Sequence, residues 1–203
     1  MLLFNHAPED YVCPFCLIAA GVENEHVLTK QSDVIYRDEF ITAFVSAGWW
    51  ENNKGHVIII PNRHFENLYD LPPDYSAEIH SFEKQIAVAF KRVYKCDGVS
   101  SRQRNEPAGN QDVWHYHLHV FPRYAGDNLY CMERRPTTAE ERAPYAKLLK
   151  DYFGRSGIAF TTADDMPNAE TIAAIDETQV MKKDVSIGKS YTNADEMITE
   201  LLA

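Results

Sequence analysis

The chain has 203 residues, is 45% hydrophobic and carries a formal net charge of −10. That length suits one domain plus an appendage, and the acidic balance excludes nucleic-acid binding through bulk electrostatics. No apolar run reaches the roughly 18 residues that would mark a membrane-spanning helix, and "MLLFNHAPEDYVC" lacks the basic start and long apolar stretch of a signal peptide, so a cytoplasmic location is expected.

Near the N-terminus Cys13 and Cys16 form a CxxC in "CPFC", while Cys96 and Cys131 stand alone. In a reducing compartment such a pair is a metal or redox motif more often than a structural disulfide. "DVIYRD" and "FITAFVS" read as two short strands joined by a polar turn, and "GHVIIIP" as a buried strand ended by Pro61. The insert "AGWWENNKG" lies between the last two, and its Trp49 and Trp50 are expected either to stack on a base or to form a surface or dimer contact. A long helix follows, from about Asp74 to Lys95. Ile79, Phe82, Ile86, Phe90 and Val93 recur at helical spacing, Asp74 can cap it, and Gly98 lies just past its end. "VWHYHLHVF" reads as another strand. Thr138 and Glu141 then have capping-box spacing at the start of a final helix, with Pro144 expected to kink it or begin a new turn. Strands on both sides of a long helix predict an α+β domain with an antiparallel sheet.

Composition changes near Gly154. Residues 1–154 hold 22 of the 24 aromatic residues, all eight histidines and all four cysteines. Residues 155–203 keep only Phe160 and Tyr191 and carry a net charge of −5, from nine acids and four bases. The expected division is a domain over 1–154 and an acidic C-terminal extension over 155–203, with helices near "MPNAETIAAIDET" and "SYTNADEMITELLA". Helices this short require a partner surface.

The main chemical signal is "DVWHYHLHVFPR". In an extended strand successive side chains point to opposite faces, so His115, His117 and His119 line one face. Trp114, Tyr116, Leu118 and Val120 line the other and can anchor the row to a core. A row of imidazoles serves a phosphoryl group or a metal equally well, and the spacing alone does not choose between them. His56 begins the preceding buried strand, and "RNEPAGNQDVW" places a Gly-, Asn- and Gln-containing loop before the row. Such a loop can turn backbone N–H groups and amides toward an anion. His6, His26 and His80 are expected at solvated positions.

Together these segments resemble the histidine triad (HIT) family of nucleotide hydrolases and transferases. The resemblance is carried by "HYHLHVF", by Gly55, His56, Pro61 and His64 upstream, and by the "CPFC" opening common in the bacterial branch. It covers about residues 11–124, with the final helix completing a HIT-like domain. It implies a hydrolase or nucleotidyl transferase that cleaves a nucleoside phosphate bond, as in dinucleoside polyphosphates or nucleoside phosphoramidates. His117 would be the nucleophile, passing through a nucleotidyl-histidine intermediate. His119 and His56 match phosphate-contacting positions, Gln111 the glutamine beside the leaving group, and His115 an orienting position. Asn105 lies near the family's loop asparagine. Two positions depart from the pattern. Asp112 stands where most relatives carry Ser or Thr, and Ser46 is nearest to the usual ribose-binding acid. The resemblance also implies a homodimer, no catalytic metal, and a structural zinc held by Cys13, Cys16, His64 and His115.

The tail, about 158–203, resembles the C-terminal part of RelB/DinJ-type antitoxins, which implies a ribonuclease-toxin-like protein partner. The alternative to an enzyme is a non-catalytic nucleotide-binding protein, or a toxin-binding module acting through this tail.

Overall fold

The structure, a computed structural model, describes residues 4–157. The readings of the tail, its two helices and its antitoxin resemblance, lie outside the described residues. Among the described residues no helix is long and apolar enough to cross a membrane.

The first helix, α1 (Pro14–Ala19), grows directly out of the CxxC. Pro14 opens it, where a missing N–H costs nothing, and the Cys13 sulfur caps it by accepting from Cys16 N at 3.4 Å. Strands β1 (Val34–Arg37), β2 (Ile41–Val45) and β4 (Val57–Pro61) follow, and between the last two lies the three-residue β3 (Gly48–Trp50). The long helix α2 (Pro73–Ala89) continues as a π-turn over Phe90–Tyr94 and stops at Lys95, whose backbone is left-handed at φ 56°. Then come β5 (Gly98–Gln103), β6 (Leu118–Arg123), β7 (Arg134–Pro136) and α3 (Ala139–Arg155). The predicted α+β class is found: β1, β2, β4, β6 and β5 form one antiparallel sheet in that order.

Alternation divides this sheet between two cores. Ala43, Val45, Val57, Ile59, Leu118 and Val120 face α2 and α3, meeting Ile79, Phe82 and Ile86 of α2, Phe90 of the π-turn, and Leu149 and Phe153 of α3. Phe44, Ile58 and Ile60 face the other way, toward Phe15 and Ile18 of α1. "VIII" is therefore buried on both faces, which is why it reads as a continuous apolar run. Each of these large side chains contributes roughly 1.5–3 kcal/mol through burial, enough for the two layers to fix the sheet between them.

Several expectations are refined. The Thr138–Glu141 capping box forms with both of its bonds, and α3 passes through Pro144 without ending. The regular pairing of the histidine segment begins only at Leu118, because the chain before it bends: His115 N bonds Val113 O and Tyr116 N bonds Phe65 O. Trp114 is half-buried against His6, with ring centroids 5.7 Å apart, and does not join Tyr116 in the core. Trp49 and Trp50 are not available to stack on a base or to form a surface contact. Trp49 is 1% exposed with its ring edge-on to Tyr145, and Trp50 is 7% exposed and packs on His56 and Phe121. The insert that carries them is a strand, β3, paired antiparallel with β7 in a separate two-stranded ribbon.

Candidate active site and metal centre

The α1 face of the sheet also carries the histidine row. Leu118 and Val120 point to the α2 side, so His117 and His119 point to the other, with their rings 5.0 Å apart. Phe15 of α1 meets both His115 and His117 edge-on, at 5.9 and 5.2 Å. All three triad histidines are buried. Despite the bend, the alternation therefore gathers the imidazoles on one side.

Backbone carbonyls fix two tautomers, since a carbonyl oxygen can only accept. His117 Nδ1–H donates to the His115 carbonyl at 2.8 Å, which leaves Nε2 with its lone pair. That atom lies 3.8 Å from Asp112 Oδ1. Burial holds His117 below the usual imidazole range, against the opposing pull of the His115 carbonyl and Asp112, so the ring is a neutral base at pH 7. His119 and His56 form a second pair, Nδ1 to Nε2 at 3.3 Å. Burial pushes both well below the usual range; for His56 the next causes are Arg134 and Arg102, and for His119 the neighbouring His117 and His56. Among the described residues, His56 Nδ1 has no hydrogen-bond partner.

A cavity of about 150 Å³ opens in front of this row, and Ser46, Asp112, His117, His119, His26 and Arg134 are among its walls. His56 lies behind His119, against Phe121 at 4.7 Å. Gly55 precedes it with φ +75°, and a Cβ there would collide with Tyr145, so the Gly of the Gly-His pair is required twice over. Gln111 and Asn105 organise the approaching loop. Gln111 donates to the Glu66 and Val113 carbonyls at 2.6 and 3.0 Å and accepts from Glu106 N at 2.8 Å. Asn105 accepts from Leu68 N at 2.8 Å and bonds Gln103. Ser46 turns its hydroxyl onto Gly48, 3.3 Å from both its N and its O.

Two cavity residues are missed by sequence reasoning. His26 is an exposed loop residue, as expected, but it also lines the cavity, and so does Arg134, 3.1 Å from Asp112 Oδ2. Arg134 sits on a three-residue strand with no periodicity to announce it.

On the same side but farther along the row, His115 enters a second cluster. Its Nδ1 is 3.3 Å from Cys13 Sγ and 3.5 Å from Cys16 Sγ, and Cys16 Sγ is 3.3 Å from His64 Nδ1. All four candidate ligand atoms lie within 4.8 Å of one another. Tetrahedral zinc, with bonds near 2.3 Å to sulfur and 2.0–2.1 Å to nitrogen, sets neighbouring S and N atoms about 3.5 Å apart. The donors therefore fit a metal of this kind. His115 Nε2–H donates to the Pro61 carbonyl at 3.0 Å, which fixes Nδ1 as the free ligand atom, the outer hydrogen bond that metal-binding histidines usually make. Hydrogen bonding with Cys16, helped by His115 and His64, draws the Cys13 thiol far below its usual range, and the same bond pushes Cys16 up.

Comparison with known proteins agrees with this geometry. The HIT domain model matches residues 27–126. The chain is 31% identical over 112 residues to Protein hit of Bacillus subtilis, covering 55% of this chain and 71% of that protein. The chain belongs to the HIT family. It is also 28% identical over 121 residues to Adenylylsulfatase HINT3 of Arabidopsis thaliana, covering 60% of this chain and 57% of that protein. Among solved structures, a zinc-bound histidine triad family protein from Mycobacterium smegmatis superposes with a TM-score of 0.58 at 27% identity, over 71% of this chain and 95% of that one.

Proposed function

We propose that this chain is a nucleotide hydrolase that cleaves a nucleoside phosphate bond through a nucleotidyl intermediate on His117. The observation that carries the reading is the 2.8 Å bond from His117 Nδ1 to the His115 carbonyl. It commits the ring proton to the backbone and leaves Nε2 free at a cavity. Nε2 attacks the α-phosphorus, an N–P bond forms, and the bond to the leaving group breaks with its electron pair. Water then attacks phosphorus and gives up a proton, the N–P bond breaks, and a nucleoside monophosphate leaves. His56 Nε2 stands 3.3 Å from His119 Nδ1; in the tautomer where His56 donates, His119 offers its own Nε2–H to a phosphoryl oxygen as charge develops there. The cavity is smaller than the roughly 300 Å³ of common ligand pockets, so it takes the phosphoryl end of a nucleotide while the rest extends past its mouth.

Cys13, Cys16, His64 and His115 would hold a structural zinc, the metal named for the M. smegmatis relative. Bound there, the metal would supply rigidity, since its four ligands come from the start of α1, the segment after β4 and the histidine segment. The adenylylsulfatase relative makes an adenylylated compound a sensible first substrate. A second reading, nucleotide binding without turnover, is favoured by one feature: the Asp112 carboxylate stands 3.8 Å from the nucleophilic nitrogen.

The test is release of AMP from a panel of adenylylated compounds, among them adenylyl sulfate, a diadenosine polyphosphate and an adenosine phosphoramidate. Wild-type protein should turn over at least one, and His117→Ala should abolish release while still binding AMP. Equal, negligible turnover by both proteins across the panel establishes the binder instead.

A further inference from the structure

Arg134 belongs to none of the motifs that define the family, yet the fold builds a seat for it. On β7 it pairs in register with Trp50 of β3, and its side chain reaches along the ribbon to lie over Gly48. A Cβ on Gly48 would collide with Arg134 Nε and stand 2.6 Å from Nη2 and 2.7 Å from Cζ. With glycine here the guanidinium rests against the turn, and a methyl group would push this end of the flexible side chain away. The Ser46 hydroxyl, bonded at 3.3 Å to Gly48 N and O, holds the turn that presents it. From this seat Nη1 reaches Asp112 Oδ2 at 3.1 Å, while the other oxygen of the same carboxylate faces His117 Nε2.

The charge arrangement presents a problem that Arg134 solves. A carboxylate beside the nucleophile repels every phosphoryl oxygen that approaches it. The Asp112–Arg134 pair is about half exposed, at 49% and 43%, and ion pairs this open to solvent hold each other weakly. Such a pair is easily exchanged for a partner with two or three anionic oxygens, and a guanidinium is well shaped for that role.

We infer that Arg134, seated on Gly48, is a specificity-determining residue for the phosphoryl group: it neutralises Asp112 in the resting site and shifts to the phosphoryl oxygens when a nucleotide enters. This rests on reading the cavity as a nucleotide site. The serine standing in place of a ribose-binding acid then serves the phosphate, by shaping the seat of the arginine.

Calorimetric titration of the full chain with AMP tests it. Arg134→Gln should weaken AMP binding about tenfold, chiefly because Asp112 is left to repel the phosphoryl oxygens. Gly48→Ala should weaken it similarly, because the new methyl displaces the guanidinium without removing its charge. Adding Asp112→Ser to Arg134→Gln should restore affinity to within about threefold of wild type, since the repelling carboxylate is gone. In turnover, KM should rise with Kd while kcat changes less than about threefold. If wild type binds AMP and Arg134→Gln binds it equally well, the assignment is wrong and the nucleotide reading stands. If wild-type protein shows no binding of AMP at millimolar concentration, the nucleotide reading fails and this inference with it. Should Gly48→Ala not fold, Arg134→Gln and its rescue by Asp112→Ser decide alone.

Discussion

Replacing Arg142 by methionine should be among the most destabilising single changes in the domain. Arg142 and Asp33 are 1% and 0% exposed. Arg142 Nε and Nη2 both contact Asp33 Oδ2, at 2.8 and 2.7 Å, while Nη1 donates to the Thr137 carbonyl at 2.7 Å and Nη2 to the Leu28 carbonyl at 3.1 Å. One guanidinium thus ties α3 to the residue after β7 and to the segment that forms the cavity wall. Methionine keeps the helix and most of the volume but removes the guanidinium that contacts the buried Asp33 carboxylate, leaving it the more distant charge of Lys150. Breaking a buried pair from one side costs roughly 3–5 kcal/mol. The freed carbonyls add little if water reaches them, so that range is the expected loss. For a domain of this size each kcal/mol moves Tm by about 2–4 °C, which gives a drop of about 6–20 °C in a calorimetric or circular-dichroism melt. The double variant Arg142→Met with Asp33→Leu should recover much of it, because an apolar pair has no charge to strand. Recovery will be incomplete, since Asp33 Oδ2 also caps Lys30 N at 2.8 Å. A single variant that loses less than about 1 kcal/mol, or a double variant no more stable than the single, refutes the argument that charge burial dominates here.

Two further outcomes follow from the site. Native protein should carry about one equivalent of zinc, and Cys13→Ser with Cys16→Ser should lose it together with several degrees of Tm; less than a third of an equivalent in native protein counts against the centre. Stability should also fall in acid. In the unfolded chain His56 and His119 take up protons near pH 6.5, whereas burial keeps them neutral in the fold. The unfolded state therefore binds more protons below about pH 6.5, so stability is full above that pH and declines beneath it, at up to about 1.4 kcal/mol per pH unit for each ring. Urea unfolding at a series of pH values should show that decline, and His119→Gln should make it shallower. The same slope in both proteins would mean that other groups carry the acid sensitivity.

The parts of this fold legible in sequence are those with a strong period or a strong local rule. Ile79, Phe82 and Ile86 recur at helical spacing because one face of α2 must be dry. The Thr138–Glu141 box announces α3 because two orphan N–H groups need acceptors. The metal cluster is legible only through the family resemblance: Cys13 and His115 are 102 residues apart, and spacing cannot show that a β-sheet brings them to hydrogen-bond distance. What escapes reading is short or polar. β3 and β7 have three residues each, too few for alternation to register, so Trp49 and Trp50 look available when they are core. β5, "GVSSRQ", is a partly exposed edge strand whose polar residues mask its period. Arg134 is invisible for the same reason, since its place depends on a pairing that no local pattern encodes.

The acceptor that holds the His117 proton belongs to the main chain at position 115, and every amino acid type brings that same oxygen. Substitution at 115 can dismantle the cysteine–histidine cluster without deleting the group that keeps the reactive nitrogen unprotonated. On the proposed function, a lineage could therefore shed the metal and keep the chemistry, whereas a change in the path of the backbone would forfeit both.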